Sequence, residues 1–253
     1  MSKRFVNRVV VVTGAAGGLG RTSAYAFARE GAQLVLVDVN EQGLTETAAE
    51  IRKQGGTAAT HRVDLSLEAE IKAFGAQICA QHPKIDALYN NAGIAYGEVN
   101  QSIDAVSLEK WLRFVTINSL SPLFVAQALR PSLANAKGAI LNQSSMASFV
   151  PANVYGVTKA MLNSLTYGMA NTFAADGIRV NAIAPGIMET PAGKSGLTPE
   201  TYARVQGMQL LKLHGTADDI ANLAVFLASD DARFINCEVI SCDAGNRLRG
   251  WRY

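Results

Sequence analysis

The sequence predicts an α/β protein with a doubly wound parallel sheet in a single domain. Short apolar runs rich in β-branched residues alternate with segments of helical periodicity along most of the 253 residues. The runs are apolar throughout, which is typical of strands that are covered by helices on both faces. Regular alternation of strand and helix favours βαβ units, and these place the strands in parallel.

The pattern resolves into successive elements. Strands are predicted at 8–14, 33–40, 57–66, 85–93, 138–146, 178–186 and 237–245, and helices at 19–31, 41–56, 68–82, 107–134, 155–175 and 218–229. No repeat, linker or composition break interrupts them, so we expect a single domain over residues 1–253. The segment 188–215 is long and contains several Gly and Pro residues, which favours a lid over a site at the carboxyl ends of the strands.

Composition argues against several classes of protein. The formal net charge is +2 without a long run of like charge, so no nucleic-acid track is expected. No apolar stretch approaches the ~20 residues that span a bilayer, so we expect no membrane segment. The three cysteines and three histidines are scattered, which predicts neither a disulfide framework nor a metal site. A reducing cytoplasm is the expected location.

A glycine-rich loop, TGAAGGLG (13–20), joins the first predicted strand to the first predicted helix. Its candidate cofactor-binding residues are Gly14, Gly18, Leu19 and Gly20. Glycine allows a tight turn and close approach of a ligand to the backbone, and the helix N-terminal amides can then bind a pyrophosphate. The strand–turn–helix context is the one that this motif requires.

The second predicted strand carries Asp38 near its end, at a spacing where an acid meets the ribose hydroxyls of a dinucleotide. A carboxylate there repels a 2′-phosphate. Gly17 and Val39 provide no positive charge to bind one. These residues predict NAD(H) as the cofactor in preference to NADP(H).

Tyr155 and Lys159 lie four residues apart in YGVTK, and residues at this spacing share one face of a helix. Taken alone, such a pair is more often a packed ring beside a lysine whose stem lies along it.

Further motifs follow the glycine loop in a fixed order: NNAG (90–93), TINS (116–119), NQSSM (142–146), YGVTK (155–159) and APGIMET (184–190). With this set, nearly the whole chain resembles the short-chain dehydrogenase/reductase family in its single-domain, Rossmann-like branch. TGxxxGxG and Tyr-x-x-x-Lys match that family, whereas the longer Tyr–Lys spacing of the related enoyl reductases does not. The resemblance implies hydride transfer between NAD(H) and a secondary alcohol or ketone.

The resemblance also implies the catalytic residues. Tyr155 would be the general acid/base, and Lys159 would lower the tyrosine pKa from its usual value of about 10 and bind the nicotinamide ribose. Asn118 would hold a water for proton relay. Ser145 would hold the substrate oxygen, but the segment from it to Tyr155 is about three residues shorter than usual, so the choice between Ser145 and Ser144 stays open. Ser148 is a more remote alternative.

By the same resemblance, further residues would contact the cofactor: Asp64 and Leu65 beside the adenine, Asn91 on the adenosine side, and Ile187 and Thr190 at the nicotinamide carboxamide, with Tyr155 and Lys159. Two departures from the family pattern stand near the C-terminus. Asp243-Ala244-Gly245 replaces the common Asp-Gly-Gly, and Asn236-Cys237 replaces the usual Thr-Gly.

Substrate and assembly are less directly specified. Mainly apolar residues are expected to line the substrate site, which favours an apolar or cyclic alcohol: Ala95, Tyr96, Met146, Phe149, Val150 and Met188.

The family is commonly tetrameric, so a homotetramer or homodimer is expected, with a C-terminal tail (246–253) that docks Trp251 and Tyr253 on a neighbouring subunit. The alternative is an NAD-binding regulator without turnover. Such a protein would be expected to lose part of the Tyr-Lys-Ser-Asn set, which is complete in this sequence.

Overall fold

A single parallel sheet organises the described residues, which are 3–94, 103–190 and 198–247 of the computed structural model. Its seven strands are β1 (Val9–Thr13), β2 (Gln33–Asp38), β3 (Thr57–Arg62), β4 (Ala87–Asn90), β5 (Ala139–Gln143), β6 (Arg179–Pro185) and β7 (Val239–Cys242). Their order is β3-β2-β1-β4-β5-β6-β7. The predicted fold class and the predicted strands are confirmed, and each strand is shorter than predicted. The order reverses between β1 and β4, and ligands bind at such switch points.

Helices cover both faces of the sheet. They are α1 (Gly18–Arg29), α2 (Glu41–Lys53), α3 (Glu68–Gln81), α4 (Leu108–Val115), α5 (Ser121–Ala136), α6 (Val154–Phe173), α7 (Pro199–Gly207) and α8 (Ala217–Ala228). A π-helical turn, Thr116–Leu120, joins α4 to α5. Six helical regions agree with the predicted ones, whereas α7 lies in the segment that was predicted only as a lid.

The central strand β1 shows why the apolar runs form this sheet. Val10 and Val12 pack on one face in a core cluster that includes residues of α1 and α8. Val11 packs on the other face with residues of α3 and α5. Because successive side chains of a strand point to opposite faces, a strand between two helical layers must be apolar at every position. This is the pattern in the sequence.

Both departures from the family's C-terminal pattern have a conformational consequence. Ala244 has φ +53° and Cys237 has φ +66°, the left-handed region in which glycine is favoured. The Cys237 amide nevertheless donates to the Val180 carbonyl at 2.9 Å, and the Ala244 carbonyl accepts two backbone hydrogen bonds. Ala244 and Cys237 thus form these hydrogen bonds in a backbone conformation that is unfavourable for residues with a Cβ.

The helical stretch Leu108–Ala136 differs from the expectation that no segment is long and apolar enough to span a membrane. By length and composition this stretch could span a membrane. An 18-residue part of it has a mean hydropathy of 1.2, and 44% of that part is buried. The core helix of a soluble protein passes the same test. Here Val125, Leu129 and Leu133 are buried in the core beside the sheet.

Candidate active site

A cavity of about 870 Å³ opens at the carboxyl ends of the strands, on both sides of the switch point. Segments that follow β1, β2, β3, β4, β5 and β6 contribute to its walls. Every described residue predicted to bind cofactor or act in catalysis lines it, except Gly20 and Asn118.

The glycine loop combines close packing with open backbone. A Cβ on Gly14 (φ +67°) would lie 2.8 Å from Ala92 Cα, and one on Gly20 would lie 2.1 Å from the Gly14 carbonyl oxygen. Gly17 and Gly18 have no such neighbour within 4 Å, and with Leu19 they line the cavity. Gly14 and Gly20 therefore serve packing, while Gly17 and Gly18 leave the backbone accessible.

Gly17 is also the N-cap of α1, and no side chain caps this helix. The first amides of an α-helix have no partner within the helix, and here they lie beside the open cavity. Backbone donors and the positive end of the helix dipole suit a pyrophosphate. The residues present thus fit a dinucleotide.

Asn91 is bound to the glycine loop. Its Nδ2 donates to the carbonyl oxygens of Thr13 and Gly14, both at 3.1 Å, and its own backbone amide donates to Thr13 Oγ1. The side chain also lines the cavity. Asn91 therefore positions the glycine loop.

The end of the cavity beside β2 and β3 is acidic. Asp38 Oδ2 accepts a hydrogen bond from the Ala16 amide at 3.0 Å, which ties the end of β2 to the glycine loop. Asp64 lines the same cavity next to Leu65, and hydrogen bonds from Ser66 hold the pKa of its carboxyl below the usual value. Among the lining residues that the structure describes, the basic ones are Arg113, Lys159 and Arg204, and none of them belongs to the β2 or β3 segments.

Tyr155 and Lys159 both lie on α6 and face the cavity. Lys159 Nζ lies 5.8 Å from the Tyr155 ring centroid and donates to the Gln143 carbonyl oxygen at 2.7 Å. Burial lowers the pKa of Lys159 to about 8. Gln143 is a site residue that the motifs did not single out, because its contribution is a backbone carbonyl.

The pKa of Tyr155 differs from the expected direction. Burial raises it above the usual value, and a hydrogen bond with Ser145 opposes this effect. The buried Lys159 was expected to lower the pKa, but its ammonium is directed to the Gln143 carbonyl. Desolvation of the phenol therefore dominates in the protein alone.

Asn118 is fully buried in the π-helical turn between α4 and α5. Its Oδ1 accepts from the Ile94 amide at 2.7 Å, and its Nδ2 donates to the Ile94 carbonyl and to Thr158 Oγ1, both at 3.3 Å. A Cβ on Gly93 would lie 3.0 Å from Asn118 Oδ1 and 3.4 Å from Lys159 Nζ. Because Gly93 has no Cβ, it leaves room for both the amide and the ammonium beside it. π-Helical turns of this kind are frequent at functional sites.

The three serines of the following loop have different partners. Ser144 is buried and its hydroxyl donates to Asn163 Oδ1 at 2.6 Å. Ser148 accepts from Asn163 Nδ2 at 2.8 Å and donates to the Ser145 carbonyl at 2.6 Å. Ser145 Oγ accepts from the Ala147 amide at 3.1 Å and is hydrogen-bonded to Tyr155. Of the three hydroxyls, the one beside the phenol is that of Ser145.

Beyond β6, Ile187 and Thr190 line the cavity with Gly186. A Cβ on Gly186 would lie 2.7 Å from Asp243 Cα, so glycine is needed for the C-terminal segment to pack here.

Only some of the residues predicted to form the substrate wall line the cavity. Met146, Val150 and Met188 line the cavity, but Phe149 does not. Phe149 packs against Ala182, Ala184 and Val239 instead, with the Arg247 guanidinium 4.2 Å from its ring centroid. Ala95 and Tyr96 lie outside the described residues.

Helix α7 contributes Thr201, Arg204 and Val205 to the cavity, and the predicted site contained none of them. A local signal was present. Thr198 caps the helix by accepting from the Thr201 amide, and Pro199 occupies its first turn. Thr-Pro is a favoured way to begin a helix.

Comparison with known proteins finds related sequences. The sequence model of a family described as enoyl-(acyl carrier protein) reductase matches residues 14–247. The chain is 34% identical to cis-4-hydroxycyclohexanecarboxylate dehydrogenase of Sinomonas cyclohexanicum, over 97% of this chain and 98% of that protein.

Solved structures are similar as well. A 7α-hydroxysteroid dehydrogenase complexed with NADH and 7-oxo glycochenodeoxycholic acid has a TM-score of 0.89 at 30% identity, over 96% of each chain. A provisionally named NAD(P)-dependent gluconate 5-dehydrogenase from Beutenbergia cavernae, with NADP bound at low occupancy, has a TM-score of 0.90 at 29% identity, over 97% of this chain and 98% of that one.

The chain belongs to the short-chain dehydrogenase/reductase family. It is an oxidoreductase of CH–OH groups that uses a nicotinamide cofactor and a small-molecule substrate.

Proposed function

We propose that this protein is an NAD-dependent dehydrogenase of an apolar or cyclic secondary alcohol, or the corresponding ketone reductase. The observation that carries the proposal is the arrangement of Ser145, Tyr155 and Lys159 in one cavity whose other end bears Asp38. Bound NAD⁺ would accept the hydride from the carbinol carbon and would bring a positive charge to the site.

The cofactor preference rests on Asp38. Among the described residues, no basic side chain lines the adenosine end of the cavity, where Asp38 and Asp64 carry negative charge. A 2′-phosphate would meet like charge there, whereas ribose hydroxyls can donate to a carboxylate. The two compared structures hold NADH and NADP respectively, so the preference depends on this chain's own residues.

In the proposed mechanism, Ser145 Oγ holds the substrate oxygen and Tyr155 Oη takes the hydroxyl proton as the carbon–hydrogen bond breaks. A phenol of raised pKa is a poor base at neutral pH, so the ionised form must be stabilised on binding by nearby positive charge, including that of Lys159. By the family resemblance, Asn118 is proposed to hold a water that passes the proton onward, while its side chain is hydrogen-bonded to Ile94 and Thr158.

The substrate class is inferred from the cavity walls and from relatives. Met146, Val150 and Met188 provide apolar surface near Ser145. The dehydrogenases named above for a hydroxycyclohexanecarboxylate and for a hydroxysteroid act on cyclic alcohols. A cyclic secondary alcohol fits both observations.

The segment 188–215 is proposed to act as a lid whose ends are joined. Met188 and Gly215 form a β-bridge, and His214 Nδ1 lies 2.8 Å from Glu189 Oε1. Residues 191–197 lie outside the described ones. A hydrogen bond also joins Asn246 to Val205, so the proposed lid movement is confined to the residues that precede Val205.

A cytoplasmic homotetramer, or a homodimer, is proposed from the family resemblance. Leu108 and Leu112 on α4 are 72% and 57% exposed at a helical spacing, which suits a subunit interface. Met169 on α6 lies in the core. Trp251 and Tyr253 lie outside the described residues, so their proposed role in a neighbouring subunit rests on sequence alone.

The decisive experiment is turnover of a panel of secondary alcohols, followed at the absorbance of NADH. Wild-type protein should reduce NAD⁺. Tyr155→Phe, which keeps the ring, should lower kcat/KM by a factor of roughly 10²–10⁴ while NAD⁺ binding by calorimetry stays within twofold. NAD⁺ binding without turnover of any alcohol or ketone in the panel would favour the regulator instead.

A further inference from the structure

Helix α7 presents one face to the cavity. Thr201, Arg204 and Val205, which line it, are spaced at i, i+3 and i+4, and residues at this spacing lie on one side of a helix. Arg204 is thus the charged member of a face that otherwise carries a threonine and a valine.

The end of α7 is fastened to the body of the protein. Asn246, which is fully buried, donates from Nδ2 to the Val205 carbonyl at 2.6 Å. The amides of Leu210 and Leu211 both donate to the Ala244 carbonyl, at 2.9 and 3.1 Å. Arg204 is therefore carried by a helix whose C-terminal end is held in place.

The two acidic residues of the segment 188–215 have other hydrogen-bond partners. Glu200, one helical turn before Arg204, accepts hydrogen bonds from its own backbone amide and from the Thr198 side chain at the helix N-terminus, and these lower the pKa of its carboxyl. Glu189 is paired with His214. No carboxylate of the described residues lies within 4 Å of the Arg204 guanidinium.

Charge is separated along the cavity. The two described acids of the lining, Asp38 and Asp64, follow β2 and β3, at the adenosine end. Arg204 on α7 and Arg113 on α4 line the cavity from elements beyond that end. A ligand that is complementary to this distribution carries a negative charge on the part that α7 covers.

We infer that Arg204 binds an anionic group, foremost a carboxylate, on the substrate at a distance from the reacting carbinol, so that the preferred substrate is a cyclic hydroxy acid. The inference rests on the proposed function and deepens it. A planar guanidinium binds a carboxylate through two parallel hydrogen bonds, which fixes the orientation of the substrate as well as its affinity. The apolar walls then contact the ring that joins the two groups.

Matched substrates test this. The wild type and Arg204→Gln are compared on a hydroxycyclohexanecarboxylate and on its neutral primary amide, with NAD⁺ saturating. We expect the wild type to prefer the carboxylate. Arg204→Gln should lower kcat/KM for the carboxylate by roughly 10- to 100-fold and change that for the amide less than threefold. Arg204→Lys keeps the charge but cannot form two parallel hydrogen bonds, so its kcat/KM for the carboxylate should lie between those of the wild type and Arg204→Gln.

Binding gives a readout that does not depend on turnover. Calorimetric titration of the NADH complex with unreactive cyclohexanecarboxylate should show saturable binding to wild type that Arg204→Gln weakens by the same factor. Equal effects on carboxylate and amide, or unchanged binding in the variant, would overturn the inference while leaving the dehydrogenase intact. A raised KM for NAD⁺ alone would instead place Arg204 on the cofactor phosphates. If the protein turned over no alcohol at all, the proposed function itself would be wrong.

Discussion

The hydroxyl of Ser144 donates to Oδ1 of Asn163 at 2.6 Å, inside the protein and on the side of the loop that packs against α6. Its neighbour Ser145 instead has its hydroxyl beside Tyr155. Adjacent residues of an extended chain point in opposite directions. Both residues line the cavity, but the hydroxyl of Ser144 is bound to Asn163 and that of Ser145 is bound to Tyr155.

The first prediction separates these two serines. Ser145→Ala should lower kcat/KM by roughly 10²-fold, as expected when one donor to a reacting oxygen is removed. Its loss of stability should be smaller than that of Ser144→Ala, because the hydrogen bond from the Ala147 amide is only partly buried. Ser144→Ala leaves Asn163 Oδ1 without its donor and should cost about 1–3 kcal/mol of stability, with a smaller kinetic effect. Steady-state kinetics and urea unfolding of both variants check this. The reverse pattern would assign the substrate contact to Ser144.

A second prediction concerns cofactor choice. Asp38→Ser combined with Val39→Arg should raise the NADP/NAD ratio of kcat/KM by roughly 10²-fold or more, because repulsion of the 2′-phosphate is replaced by a charged partner. Asp38→Asn is the matched control, since its amide oxygen can still accept from Ala16 while the charge is lost. This control should relax the preference without reversing it. A wild-type protein that already prefers NADP would contradict the assignment of Asp38.

The third prediction follows from the burial of Lys159. Its pKa is about 8 in the folded protein against a usual value of 10.5. Between these values the unfolded state binds more protons, so the contribution of this lysine to stability rises with pH. Lys159→Met should therefore gain stability relative to wild type below pH 8 and lose that gain by pH 10.5.

The difference between the two free energies of unfolding should change by roughly 2–3 kcal/mol from pH 7 to pH 10.5. Urea unfolding at a series of pH values measures it. Lys72→Met, at a lysine whose side chain is 72% exposed, is the matched surface control. Parallel curves for wild type and Lys159→Met would mean that the ammonium is not desolvated by the fold.

A fourth prediction uses the two residues in left-handed conformation. Ala244→Gly and Cys237→Gly should each stabilise the protein by about 0.5–1 kcal/mol, because glycine adopts positive φ without the clash of a Cβ. Ala203→Gly is the control, at an exposed position inside α7, and should cost about 1 kcal/mol. Thermal unfolding of the three variants tests this. Destabilisation at both Ala244 and Cys237 would show that their side-chain contacts outweigh the backbone term.

The local sequence was sufficient for most of the fold. Most strands are continuous apolar runs, and such runs are typical of parallel strands that helices cover on both faces. The parallel sheet could therefore be predicted from the sequence. The glycine loop and the Tyr155–Lys159 pair were likewise identifiable, because their function depends on residues close in sequence. Helix α7 was the exception, although Thr198 and Pro199 carry a recognisable start signal.

The tertiary structure decided what depends on distant partners. Phe149 was expected in the substrate wall and packs beside β6 and β7, because a loop of this length can turn either way until the sheet is in place. The helical spacing of Met169 suits a core or an interface, and only the fold buries it beside the sheet. The direction of the Tyr155 pKa also required the fold, since burial and the position of Lys159 Nζ are not written in the motif.

The sequence by itself therefore determined the class of fold, the order of its strands and helices, and the residue types available for hydride-transfer chemistry. Only the tertiary structure decided that Ser145 faces the phenol, that Ser144 faces Asn163, and that Arg204 faces the cavity. The physical reason is range. Periodicity and turn chemistry act between residues a few positions apart, whereas burial and hydrogen-bond partnership are set by segments that meet only once the chain has folded.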